Sequence, residues 1–210
     1  MWIVDINYEG ISMEKRRKVA NPLALAVLAF LLMEPMHPYE LGRRLQETDK
    51  DRSFKYNRGS LYMVVKQLAK AGFIVEQETV RDTERPERTL YALTAEGRRE
   101  LYDWLRELVA TPHEEYPHFG VALSLLSVLD PAEATELLRR RSEALAEERR
   151  GIREAVQGAA DAGVTWVFLV EEEYRLAVLD AELGFVTRLI ESLSDPDYAR
   201  TWHEMFGSRQ

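Results

Sequence analysis

Asn57-Arg58-Gly59-Ser60-Leu61-Tyr62-Met63-Val64-Val65-Lys66-Gln67-Leu68-Ala69-Lys70-Ala71-Gly72-Phe73-Ile74-Val75-Glu76-Gln77-Glu78 is the stretch on which the fold turns. Its first residues are short and polar, as the free N–H groups of a helix start require, and Gly72 stands where a helix reaching Ala71 would stop. Leu61, Val65 and Leu68 recur at spacings of three and four and share an inner face. Arg58, Gly59, Tyr62, Met63, Lys66, Gln67 and Lys70 are thereby left outside. Directly after the glycine, Phe73 to Glu78 reads as a short strand.

The flanks extend this pattern. Upstream, Pro22 to Met33 is apolar on nearly every face, with Asn21 placed to cap it and Pro22 at its first position, which predicts a buried helix. His37-Pro38-Tyr39-Glu40-Leu41 opens a second helix ending near Thr48. Downstream, Thr89-Leu90-Tyr91-Ala92-Leu93 reads as a second strand, joined to the first through the charged stretch Thr79 to Arg88. Thr94 then caps a fourth helix carrying Leu101, Trp104, Leu105 and Leu108 on one stripe. Helix, helix, helix, hairpin, helix is the order of a winged helix-turn-helix, so a mainly α fold with a small β-hairpin wing is expected.

Such a unit presents its third helix to a major groove about 12 Å wide. Arg58, Gly59, Ser60, Tyr62, Lys66 and Gln67 form the expected contact set there: helix N-terminal amides and cations for phosphate, amide and hydroxyl groups for backbone or base edges. Arg81, Arg85 and Arg88 at the hairpin tip are placed to reach the adjacent groove. Tyr39 and Arg43 on the second helix are further candidates; Tyr39 also reads as a packing residue. The run Lys15-Arg16-Arg17-Lys18 reads either as a phosphate grip or as a solvated arm.

Taken together, His37-Pro38-Tyr39-Glu40-Leu41, Gly59-Ser60-Leu61-Tyr62, Gly72-Phe73-Ile74, Arg85-Pro86-Glu87-Arg88 and Tyr91-Ala92-Leu93-Thr94-Ala95-Glu96-Gly97-Arg98 resemble the PadR-like family of transcriptional regulators, over roughly residues 22 to 108. The resemblance implies a dimeric regulator, commonly a repressor, that binds inverted-repeat operator DNA and is released by a small effector. Met63 departs from it where proline is usual, and Glu84 where a wing glycine is common. Residues 1 to 20 form an extension.

Charge agrees once the chain is divided after Pro112. The net charge of −8 hides a first part with 18 Lys+Arg against 17 Asp+Glu and a second with 10 against 19. Binding a polyanion depends on local cationic clusters, so the acidity of the second part does not exclude it. The absence of cysteine excludes disulfide frameworks, thiolate nucleophiles and cysteine-based zinc sites. Leu23 to Met33 follows a basic run as a secretion signal would, yet it lacks a small-residue cleavage pattern and is too short to span a bilayer. A cytoplasmic protein without membrane contact is expected.

The expected organisation is an extension (1–20), a winged-helix domain (21–112), a helical dimerisation domain (113–195) and a tail (196–210). In the third segment Leu138, Leu145, Ile152 and Ala159 recur every seven residues, as do Leu169, Leu176, Leu183 and Ile190, helped by Leu179, Val186 and Leu193. Such seams need partners, and a second copy in an antiparallel homodimer supplies one. This segment resembles, through Asp130 to Arg150 and Glu173 to Leu193, the C-terminal domain of virulence-activator-like members of the same family, whose usual role is dimerisation.

Trp104, Tyr116, Phe119 and Trp166 are candidates for an aromatic effector pocket, with plain hydrophobic packing as the competing account. His37, His113, His118 and His203 show no helical two-histidine zinc pattern. No Gly-rich phosphate loop, nucleophile elbow or catalytic carboxylate pair stands out, so neither a metal, a cofactor nor an enzymatic activity is expected. The competing function is a ligand-sensing or protein-interaction module that has lost DNA binding, for which Glu84 and Glu87 in the wing speak.

Overall fold

The computed structural model describes residues 17–47, 57–77 and 89–206. The chain divides into two compact units, Met1–Glu114 and Glu115–Gln210, two residues beyond the division read from charge.

In the first unit, α1 (Leu23–Met33) is the central post. Leu23, Ala24, Leu25, Ala26, Val27, Leu28 and Leu31 are buried, while Ala29 and Met33 are exposed although the helix is apolar on every side. The Asn21 side chain accepts from the Leu23 N–H at 3.0 Å and secures its start. Around it lie α2 (Pro38–Glu47), α3 (Arg58–Lys70), strands β1 (Ile74–Gln77) and β2 (Leu90–Leu93), and α4 (Ala95–Ala110). Full burial of a leucine contributes about 1.5–3 kcal/mol. Leu41 and Leu45 from α2, Leu61, Val64, Val65 and Leu68 from α3, and Leu101 and Trp104 from α4 therefore fix the three helices on α1.

Strands β1 and β2 pair antiparallel, Ile74 opposite Leu93 and Gln77 opposite Leu90. A third segment joins them: Met36 and Tyr91 exchange backbone hydrogen bonds of 3.1 and 2.9 Å. The hairpin root is thus tied to the turn between α1 and α2, a link that sequence periodicity does not announce.

Arg17, the first described residue of the basic run, has a different role from either expectation. The Arg17 side chain is only 4% exposed, and its guanidinium pairs with Glu100 at 2.7 Å, with Glu107, and with Asp103 at 3.5 Å. It also lies 5.2 Å from the centroid of the Trp104 ring. Burial alone would lower its pKa, but the hydrogen bonds and charges of Glu100 and Glu107 prevail and hold it above the ordinary arginine value. Arg17 is a fastener between the segment before α1 and the flank of α4. Lys18 sits 5.5 Å from the Phe73 ring centroid.

Every regular element described in the second unit is a helix: α5 (His118–Ser124), a 3-10 turn (Leu126–Val128), α6 (Pro131–Asp161), a second such turn (Trp166–Phe168), α7 (Val170–Leu193) and α8 (Pro196–Phe206). Asp130 caps α6 by accepting from the Ala132 N–H at 2.8 Å, with Pro131 in the first helical position. Gly163, at φ 82°, ends the same helix.

The long helices α6 and α7 run antiparallel and bury their seams in each other. Leu145, Ile152 and Leu179 form one cluster, Ala134, Leu138, Val186 and Leu193 another. Ion pairs Arg141–Glu182, Arg149–Asp180 and Arg175–Glu148 run beside them. Residues 196–210, expected as a tail, contain α8 instead. Its Trp202 is buried and donates its indole N–H to the Ser127 carbonyl at 2.9 Å. Among the described residues no helix is long and apolar enough to cross a membrane.

Candidate nucleic-acid interface

Both ends of α3 are closed by local hydrogen bonds. Asn57 is extended, its side-chain oxygen accepts from the Ser60 N–H, and the Ser60 hydroxyl accepts from the Asn57 N–H, each at 2.9 Å. Ser60, expected to meet DNA, thus has its hydroxyl committed to holding the helix start. At the other end Gly72 adopts φ 79°, which lets the Phe73 N–H reach back to the Leu68 carbonyl at 3.0 Å.

Between these ends the helix is sharply two-sided. Leu61, Val64, Val65 and Leu68 are buried, while Arg58, Gly59, Tyr62, Met63, Lys66, Gln67 and Lys70 are exposed. All the exposed ones except Arg58 line one shallow depression of about 410 Å³. The outward set is the one read from spacing, with Met63 and Lys70 now part of the site. Lys70 was legible as the residue one turn beyond Lys66.

Charges on α3 and α2 differ in availability. Among the described residues no carboxylate lies within ion-pair distance of Arg58, Lys66 or Lys70. On α2, Arg43 Nε donates to Glu40 at 3.1 Å, and this hydrogen bond with the charges of Arg43 and Arg44 holds the Glu40 carboxyl below its usual pKa; Arg43 Nη1 also lies 3.5 Å from Glu47. Arg44 pairs with Glu34. Tyr39 is exposed, and packing does not account for it. Arg81, Arg85 and Arg88 lie outside the described residues.

The root of the wing is joined to α3 through Gly72 and Phe73. Thr94 caps α4 by accepting from the Gly97 N–H at 3.0 Å, while its hydroxyl lies 2.8 and 3.0 Å from the Gly72 and Phe73 carbonyls. Gly97 is required by contact: a Cβ there would stand 2.0 Å from the Phe73 carbonyl oxygen. On the hairpin, the Tyr91 hydroxyl donates to Glu76 at 3.1 Å. Burial, then that hydrogen bond and the Glu76 charge, raise its pKa.

Residues 27–103 match the model of the "Transcriptional regulator PadR-like family". The chain carries a PadR-like domain. That domain takes in α1 from Val27 to its end, all of α2 and α3, the hairpin and the first half of α4. Over 117 residues the chain is 26% identical to the negative transcriptional regulator PadR of Bacillus subtilis (strain 168), a stretch covering 56% of this chain and 63% of that relative. The match thus spans a little under two thirds of the relative's length.

The fold of the chain is similar to that of B. subtilis PadR crystallised with operator DNA. The TM-score is 0.60 at 19% identity, covering 79% of this chain and 99% of the other. It is also similar to the Vibrio cholerae virulence activator AphA, with a TM-score of 0.62 at 16% identity, covering 81% and 97%. B. subtilis PadR bound to p-coumaric acid gives 0.58 at 20% identity, covering 79% and 98%. These likenesses show the winged-helix fold.

The remaining candidate residues have separate settings. Trp104 belongs to the core of the first unit beneath Arg17. In the second unit, the Arg141 guanidinium covers the Phe119 ring at 3.7 Å, and the exposed Trp166 donates its indole N–H to Glu173 at 2.9 Å. Tyr116 is exposed. On α7, Leu179, Val186 and Leu193 are buried within the chain, and Leu176, Leu183 and Ile190 are half-buried, as is Leu169 just before the helix. Among the described residues no group of three or more histidines and carboxylates is gathered to hold a metal.

Proposed function

We propose that this chain is a cytoplasmic transcriptional regulator that binds palindromic operator DNA as a homodimer, acting as a repressor. The observation carrying this reading is the outward face of α3. Three cations without carboxylate partners among the described residues, Arg58, Lys66 and Lys70, stand beside Tyr62 and Gln67 on a helix fixed at both ends. Lysine and arginine displace counterions from phosphates, while glutamine and tyrosine reach backbone or base edges.

Homodimerisation is supported by α7, which is apolar on two sides. One side is buried against α6; the other exposes Val170, Tyr174, Val178 and Phe185, spaced by about one or two turns. An amphipathic helix solvated on one side would carry polar residues there. This second stripe, rather than Leu179, Val186 and Leu193, is the surface offered to another copy, the inner seam supporting it from behind. A dimer holding two α3 helices about 34–36 Å apart reads a palindrome.

Release by a small aromatic effector is the third part of the proposal, supported by the p-coumaric acid complex of the B. subtilis relative and by two exposed aromatics, Tyr116 and Trp166. Trp104 is buried in the core of the first unit and Phe119 lies under the Arg141 guanidinium.

Selection of bound sequences from a random duplex pool tests the reading. An enriched palindrome whose affinity falls steeply with salt supports it; a pool that enriches nothing overturns it in favour of a module without DNA binding. Quenching of Trp166 fluorescence by planar phenolic acids, with loss of DNA binding, tests the effector.

A further inference from the structure

Met63 lies within the exposed arc of α3. Gly59 precedes it by one turn, Lys66 and Gln67 follow by one, and Lys70 by two. It is 52% exposed. Around it the arc carries charge or hydrogen-bonding groups, or, at Gly59, no side chain at all.

A thioether donates no hydrogen bond and accepts only weakly, so Met63 can neither hold a phosphate nor read a base edge by hydrogen bonding. In a major groove the apolar group a base presents is the 5-methyl of thymine. Long side chains on a helix lean toward its N-terminus, over the preceding turn. For Met63 that turn holds Gly59, which has no side chain of its own and lines the same depression. Methionine is also unbranched and flexible enough to follow a methyl group's position.

We propose that Met63 is a specificity-determining residue, selecting thymine by its 5-methyl group at one position in each half-site. This rests on the regulator reading above. Hydrogen-bonding partners on the same arc set other positions; Met63 sets one by apolar contact.

The test uses the full chain and the duplex it enriches. Each thymine of a half-site is replaced in turn by deoxyuridine, which removes the methyl and leaves the pairing edge intact. Affinities are measured for the wild type, Met63→Leu and Met63→Gln. Burial of one methyl corresponds to about a fourfold change in binding. The expected result is one position per half-site where uracil weakens the wild type about fourfold, weakens Met63→Leu similarly, and leaves Met63→Gln unchanged. Uracil effects that are the same in all three proteins at every position overturn the assignment to Met63 while leaving the regulator reading intact. A pool that enriches no duplex overturns both. Because Met63 is exposed, the variants are expected to melt at the wild-type temperature.

Discussion

The Thr94 hydroxyl lies 2.8 Å from the carbonyl oxygen of Gly72, so the residue that starts α4 also clips the residue that ends α3. Gly97, one turn into α4, is pressed against the same strip of backbone. A methyl group at position 97 would force the helix away from Phe73. Overpacking of this kind costs about 1–3 kcal/mol, and a backbone obstacle places Gly97→Ala at the upper end. Denaturant unfolding should show a lowered midpoint with an unchanged slope; a midpoint within experimental error of wild type would show that α4 can shift freely.

Replacing Arg17 should weaken the first unit. Arg17→Ala leaves Glu100 and Glu107, both largely shielded, without their cation and strips the cover from Trp104. Breaking a buried pair costs about 3–5 kcal/mol, and partial exposure of the carboxylates brings the expected loss nearer 2. Arg17→Ala together with Glu100→Gln and Glu107→Gln should recover part of that loss in thermal melts. A triple variant no more stable than the single one would assign the effect to packing on Trp104.

Lys66→Ala should lower DNA affinity across sequences and flatten the salt dependence by about one unit of slope per protomer, without changing the melting temperature. Arg43→Ala should do less, because its guanidinium is already shared between Glu40 and Glu47. Fluorescence anisotropy over a salt series compares the two. A larger effect at Arg43 would mean that α2, not α3, carries the phosphate contacts.

The two sides of α7 should separate assembly from folding. Tyr174→Glu, on the exposed stripe, should halve the mass seen by light scattering while leaving helicity intact. Leu179→Ala, on the buried side, should cost about 2–3 kcal/mol of stability, as cavity-forming leucine substitutions do. If Tyr174→Glu leaves the mass unchanged, this stripe is not the proposed dimer surface.

What the residues disclosed in advance was whatever repeats. Leu61, Val65 and Leu68 announced α3 and its exposed complement because helical spacing is a local property. The Met36–Tyr91 bridge is a single pair between distant segments and leaves no period to read. Arg17 looked solvated because a cation's burial depends on three carboxylates more than 80 residues away. The seven-residue seams of α6 and α7 stated that partners exist without saying whose, and the chain itself supplies them. In α8, Pro196 after Asp195, with Trp202 four residues beyond Tyr198, was a usable helix signal.

The closed ends of α3 bear on how an encounter with a duplex is shared between the two molecules. A segment that must coil up on contact loses backbone freedom at that moment, and affinity falls accordingly. Here the Asn57–Ser60 brackets and the Gly72 stop have shaped the helix beforehand. In the proposed complex α3 therefore has no coiling left to do, and stiff and pliant duplexes with identical contacted bases are expected to be held unequally.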